Sequence, residues 1–425
     1  MPREWLIRLG ACACNWSGAG AGADVYSQTI TPVPPSPPIS PPSSPHPAKQ
    51  LLLGIPLLSL VSTTRSRRQE SRGATFESSS PEWRALEAAL MASNMHVFDK
   101  AGDLTFVLQS LVLKEPRKTS SLLSYRSSKR RKFANIYMRV SSKRLMNASP
   151  VFKAMLKHCY REGNTLRATG KVEVPLPDDD PVAFALLMDT IHGTKGRAVP
   201  QMNTLFLTSL AILVDKYRLQ QEIATSSNYW IDSLQGEIPK VFGPDLMHWL
   251  CISWVFRRPT EFNIVTRIAE RESLGQDLDT FSPALNANLP IPQRVIDSIL
   301  SRRIKAIRNC LDVIGRYIDM LQLSSPRCTS SRNESHRYTC NNVLLGSLLE
   351  SSTSLGLWPP ADAPYPDLNF RFVAHEVMQI RIVSFCSKMG FTNQPAGSHG
   401  VKAEMTAAIG KLKTRYSGLY LKDFG

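Results

Sequence analysis

The chain has 425 residues, 43% of them hydrophobic, with a formal net charge of +16 and eight cysteines. That apolar content can bury a sizeable core, which excludes a wholly disordered polymer, and the length predicts more than one folded unit. The cysteines lack paired spacing and follow no secretory signal, so free thiols in a reducing compartment, cytoplasmic or nuclear, are expected in place of a disulfide scaffold.

Residues 1–80 combine Gly-Ala repeats, the proline tract TPVPPSPPISPPSSPHP and an Arg/Ser-rich patch. Such a composition buries too little apolar surface to offset chain entropy, and a disordered tail is expected there. Within it, LLLGIPLLSLV is too short to span a bilayer, so no membrane association is expected. Leu104, Phe106 and Leu108 alternate with polar or smaller residues as a strand does, and Ile136, Met138 and Val140 alternate in its expected partner. Between them, 109–134 reads as a basic, serine-rich disordered insertion, far longer than a hairpin turn.

MRVSSKRLMNASPVFKAML then runs from a strand end into a helix pair. Leu145, Ala148, Phe152, Met155 and Cys159 fall at steps of three and four and so share one helical face. Ser149-Pro150 interrupts that face once, with Ser149 able to cap and Pro150 at a first turn that needs no N–H. A strand follows at 171–176. Asp180 is the expected cap and Pro181 the first turn of a helix carrying Phe184, Leu187, Met188 and Ile191, closed by Gly193. Met202, Leu205, Phe206, Leu210, Leu213 and Tyr217 predict another amphipathic helix, and 223–234 the last of this group. Beyond the break at Gly243-Pro244, almost every residue of 246–256 is apolar, which predicts a helix enclosed on most sides. Ile304, Ile307, Leu311, Ile314, Ile318 and Leu321 form a 3-4-3-4-3 seam, able to pair in coiled-coil fashion or to be buried within a helical unit.

The helix pair, with FDKAGDLTFVL before it and KVEVPLPDDDPVAFALLMDTIHG after it, resembles the BTB/POZ interaction domain, in the version found in fungal proteins. The resemblance covers 98–234 and continues weakly to the tails CNNVLLGSLL, PYPDLNF and SGLYLKDF. It implies an α+β fold: a BTB/POZ-type helix cluster flanked by a small β-sheet (95–234), followed by an all-α C-terminal unit (240–425) and preceded by the disordered tail (1–80). It also implies homodimerisation, with the opening segment Val97 and Phe98 and the acidic Asp103 near the dimer seam, although Asp103 reads equally as a turn residue after Gly102. Tyr160-Arg161-Glu162 stands where BTB domains that recruit a cullin ubiquitin-ligase scaffold carry an apolar-x-Glu element. Tyr160 would then supply apolar area and Glu162 a charge-assisted contact; the alternative is an ordinary solvated loop.

Lys129-Arg130-Arg131-Lys132 resembles a nuclear-import or nucleic-acid patch. No recognition-helix motif, zinc finger or aromatic platform lies beside it, so sequence-specific DNA reading is not expected. Cys328, His336, Cys340 and His399 have metal-ligand chemistry, but their spread favours isolated cysteines and surface histidines. No metal site and no cofactor are assigned. Catalytic signatures are also missing: there is no Gly-x-Ser-x-Gly elbow, phosphate loop or second histidine beside His375-Glu376. The primary reading is therefore a non-enzymatic protein-interaction module, a homodimer docking a protein partner, with an adaptor role toward a cullin scaffold as one form. A second reading is a basic nuclear regulator contacting nucleic acid through 114–144 and the tail; a third is an uncharacterised hydrolase.

Overall fold

The computed structural model describes residues 90, 93–112, 132–157, 160–194, 202–275, 289–388 and 397–425. The chain divides into 1–77 and 78–425, and all described residues lie in the second unit. The tail expected at 1–80 is outside them. So is the run Lys129-Arg130-Arg131; of the basic four, Lys132 alone is reached, as the first residue of a strand.

A four-stranded sheet is built from β1 (Met95–Val97), β2 (Leu104–Val112), β3 (Lys132–Val140) and β4 (Val172–Leu176), in the order β1-β3-β2-β4. β2 and β3 are antiparallel, in register from Leu104 opposite Val140 to Val112 opposite Lys132. β1 joins β3 in parallel, and β4 joins β2 in parallel. Period-two alternation puts Leu104, Phe106, Leu108, Ile136, Met138, Val140, Val172 and Val174 on one buried face. One expectation needs correction. The insertion expected at 109–134 is shorter, because both strands continue through Gln109–Val112 and Lys132–Asn135 as a regular ladder whose backbone groups pair irrespective of polar side chains. Of the opening pair, Val97 ends β1 and Phe98 follows it.

The helix pair is α1 (Ser142–Ala148) and α2 (Pro150–Met155). Ser149 caps α2 by accepting from the Phe152 N–H at 3.1 Å, while its hydroxyl donates to the Tyr217 carbonyl at 2.6 Å. Leu145, Phe152 and Met155 are buried and Ala148 half-buried, as their spacing predicts; Cys159 lies outside the described residues. A short helix α3 (Arg161–Thr169) leads to β4. Then α4 (Pro181–His192) begins at Asp180, whose carboxylate accepts from Val182 and Ala183 N–H, both at 2.9 Å, and ends at left-handed Gly193.

Helix α4 packs on β2 and β3, and α5 (Thr204–Tyr217) packs on both α4 and α2. Four rings meet at this junction. Phe152 stacks on Tyr217 at 4.5 Å, while Phe184 meets Phe106 and Tyr217 edge-on at 5.1 and 5.9 Å. The face predicted for α5 is broader than its spacing suggests: Leu207, Ala211 and Val214 are also buried, because α7 (Pro244–Val255) covers the helix from the far side. Leu205, expected inside, is exposed, and Met202 precedes the helix. Helix α6 (Ala224–Ser233) closes the group.

Every residue of α7 from Leu246 to Val255 is buried. It packs between α5 and α8 (Pro259–Glu272), so one hydrophobic core runs from the sheet into the helical part. α9 (Gln293–Leu323) has 31 residues, roughly 46 Å of helix. Val295 and Ile299 belong to the first core; Ala306 through Leu321 belong to a second, shared with α10 (Glu334–Ser354), α11 (Phe370–Gln379) and α13 (Val401–Arg415). The seam from Ile307 to Leu321 is thus covered by helices of the same chain. α12 (Phe385–Lys388) lies near α10.

The C-terminal segment returns to α8. Gly418 N–H donates to buried Glu270 at 3.0 Å, and Leu419 N–H to Thr266 Oγ1 at 2.9 Å. With φ at 96° and a would-be Cβ 2.4 Å from the Asn263 carbonyl, only glycine fits at 418.

Candidate functional site

Two places stand out from the packed interior. The first is the β1 edge of the sheet. Among the described residues β1 pairs on one side only, with β3, and Met95 and Val97 are 47% and 39% exposed. Unpaired strand edges with apolar side chains invite a further chain. Phe98, expected beside Val97 at a dimer seam, is buried instead, its ring 6.2 Å from that of His192. Asp103 bonds within its own chain: its carboxylate accepts from the Ser142 N–H at 2.8 Å and the Ser142 hydroxyl at 2.7 Å, joining the start of β2 to the start of α1. His192 completes this corner. Its Nε2 accepts from the Ser141 N–H at 3.1 Å while Nδ1 donates to the Met188 carbonyl at 3.0 Å, and burial lowers its pKa, keeping it neutral.

Tyr160 is the N-cap residue of α3 and Glu162 sits in its first turn, both half-buried. A carboxylate there complements the helix dipole, which accounts for Glu162 without a partner. Of the three adjacent aspartates, Asp180 is a cap as expected. Asp179 is buried and bonded to the Tyr217 hydroxyl and, at 2.5 Å, to Lys216 Nζ, which makes it a structural anchor.

The second place is in the helical part. Cys328, Cys340, Cys386 and His399, from four separate stretches of chain, offer ligand atoms that all lie within 4.8 Å of one another. Cys386 Sγ is 3.5 Å from Cys328 Sγ and 3.7 Å from Cys340 Sγ; Cys340 Sγ is 3.2 Å from His399 Nε2. His336 flanks the group, its Nε2 3.2 Å from Cys386 Sγ and its ring edge-on to Phe385 at 5.3 Å. The three thiols are buried.

Sequence spacing suggests isolated residues; the fold instead gathers three of the four named there and adds Cys386, which spacing does not single out. The reason is distance along the chain: Cys386 is 46 positions from Cys340, and His399 is 59. Burial raises the Cys328 thiol, but hydrogen bonds from Ser330, Cys386 and Cys340 outweigh it and hold the thiol below its ordinary value; burial, with Cys328 and Cys340 beside it, pushes Cys386 up to about 12 against the opposing hydrogen bond from Ser330.

No described helix is long and apolar enough to cross a membrane. No protein-family model, curated protein or solved structure matches the chain.

Proposed function

We propose that the chain is a non-enzymatic interaction protein of BTB/POZ type, which self-associates through the β1 edge and docks a protein partner. The observation that carries this reading is the exposed apolar pair Met95 and Val97 on a strand that, among the described residues, pairs on one side only. Its support in the fold is the order of parts: an antiparallel hairpin, a helix pair broken at Ser149-Pro150, a parallel strand, then helices packed over the sheet. Binding would be driven by burial of apolar area and directed by backbone pairing along β1. Self-association keeps Val97 at the seam, adds Met95 beside it and assigns Phe98 and Asp103 to the packing behind it. In the adaptor form of the reading, Tyr160 and Glu162 meet a cullin-type scaffold, and the protein works in the cytoplasm or nucleus.

Sedimentation equilibrium of the full chain at about tens of micromolar, an ordinary homodimer regime, tests this. A dimer is expected, and Met95→Lys combined with Val97→Lys should return it to monomer; a wild-type chain that stays strictly monomeric refutes the reading. For the adaptor form, a cullin scaffold should be retained by the wild type and released by Glu162→Ala.

A further inference from the structure

We propose that Cys328, Cys340, Cys386 and His399 form a structural zinc site that ties together four segments of the helical part. Zinc takes four protein donors in a tetrahedron, with Zn–S of about 2.3 Å and Zn–N of about 2.0 Å, so neighbouring donors stand about 3.5–3.8 Å apart. The sulfur–sulfur separations of 3.5 and 3.7 Å fall in that range, the sulfur–nitrogen separation of 3.2 Å is slightly shorter, and the remaining pairs lie within 4.8 Å. They are too long for a sulfur–sulfur bond of about 2.05 Å, and an odd number of thiols meets here.

Local chemistry supports the assignment. Buried cysteines ordinarily lie among aliphatic side chains, yet these three form a small cluster of their own, with Phe385 packed against it. His399 is held at φ 47° and is followed by Gly400 at φ 85°, a consecutive left-handed pair that turns the chain at the donor. A non-glycine residue in that region is uncommon and persists where its surroundings fix it. The outer layer is also in place. Ser330 hydrogen-bonds to the Cys328 sulfur, and the Arg337 guanidinium, donating to the Cys328 carbonyl at 2.9 Å, brings positive charge beside a set that carries three negative sulfurs when metal is bound.

The donor set is complete within the protein, which marks a structural site and leaves no open position for chemistry. Binding converts the three thiols to thiolates and releases their protons to solvent, while the imidazole binds as the neutral base. The clip holds the Cys328 loop, α10, α12 and the turn before α13, where apolar contacts are few. His336 is assigned a flanking role, because it stands outside the four residues whose ligand atoms all lie within 4.8 Å of one another.

The test uses the full chain, purified under reducing conditions without added metal. Mass spectrometry of the metal content should find about one zinc per chain, and Cys340→Ser and Cys386→Ser should lose it. Cobalt added to wild-type protein stripped of metal should give the visible absorption of tetrahedral thiolate coordination, a readout that does not depend on any variant folding. Chelation should lower the thermal midpoint by on the order of 5 °C. His336→Ala should keep its zinc and His399→Ala should not. Wild-type protein with reduced thiols that binds neither zinc nor tetrahedral cobalt would overturn the proposal, as would a disulfide linking two of these cysteines under the same conditions. Zinc lost in His336→Ala but kept in His399→Ala would overturn the choice of fourth donor.

Discussion

Around the sheet, the groups that meet are apolar and close together in period: Leu104, Phe106 and Leu108 face Ile136, Met138 and Val140, and Phe152, Phe184 and Tyr217 fill the space beneath. Around Arg303 and the cysteine cluster, the groups that meet are polar and remote. The fully buried Arg303 of α9 spreads its guanidinium over the carbonyls of Ser273, Pro364, Tyr365 and Leu368 at 2.6–3.0 Å, and a thiol–imidazole cluster stands where an aliphatic core would be expected. The first region is held by area and shape, which tolerate approximate replacements. The second is held by directed bonds, which do not.

Substitutions can break this contrast. Phe152→Ala should destabilise by about 4 kcal/mol, since it leaves a cavity between Phe106 and Tyr217, and Phe152→Leu should recover most of that loss. Arg303→Met should destabilise by about 3 kcal/mol by stranding buried carbonyls, and Arg303→Lys should recover less than half, because a point charge cannot reproduce the fork. Equal rescue by the two conservative replacements, measured as denaturant midpoints, would erase the distinction. Ser149→Ala should show the smallest effect, about 1–2 kcal/mol, through loss of both the cap and the bond to the Tyr217 carbonyl. A change under about 0.3 kcal/mol would mean that Ser149 contributes little to the closure of the helix pair.

The same contrast explains what could be read from residue order. Ser149-Pro150 and Asp180-Pro181 announce their helices because a cap and its helix are neighbours in the chain, and 246–255 announces an enclosed helix because enclosure needs apolar residues on every side. β1 escapes notice because three residues are too few for a period. The outer rungs of the hairpin escape because Gln109 and Ser110 lack strand character, although the ladder needs only their backbone. Arg303 lies in a run of polar and charged residues that reads as a solvated face, and nothing local says that four carbonyls from elsewhere will converge on it. Cys386 has the same history: its partners arrive through tertiary folding, and a fixed spacing never forms. For the β1 edge, exposure itself is the signal, and residue order alone does not report exposure.

The central hairpin has one more implication. β2 and β3 lie in the middle of the sheet, yet the connection between them spans 113–131, and their nine-rung pairing is complete on both sides of it. For a flexible connection, doubling its length adds only about 0.6 kcal/mol of closure entropy, less than a single good rung and its side chains contribute. By that scaling, the nine rungs that pair β2 with β3 outweigh what a change in the length of the chain between them would cost.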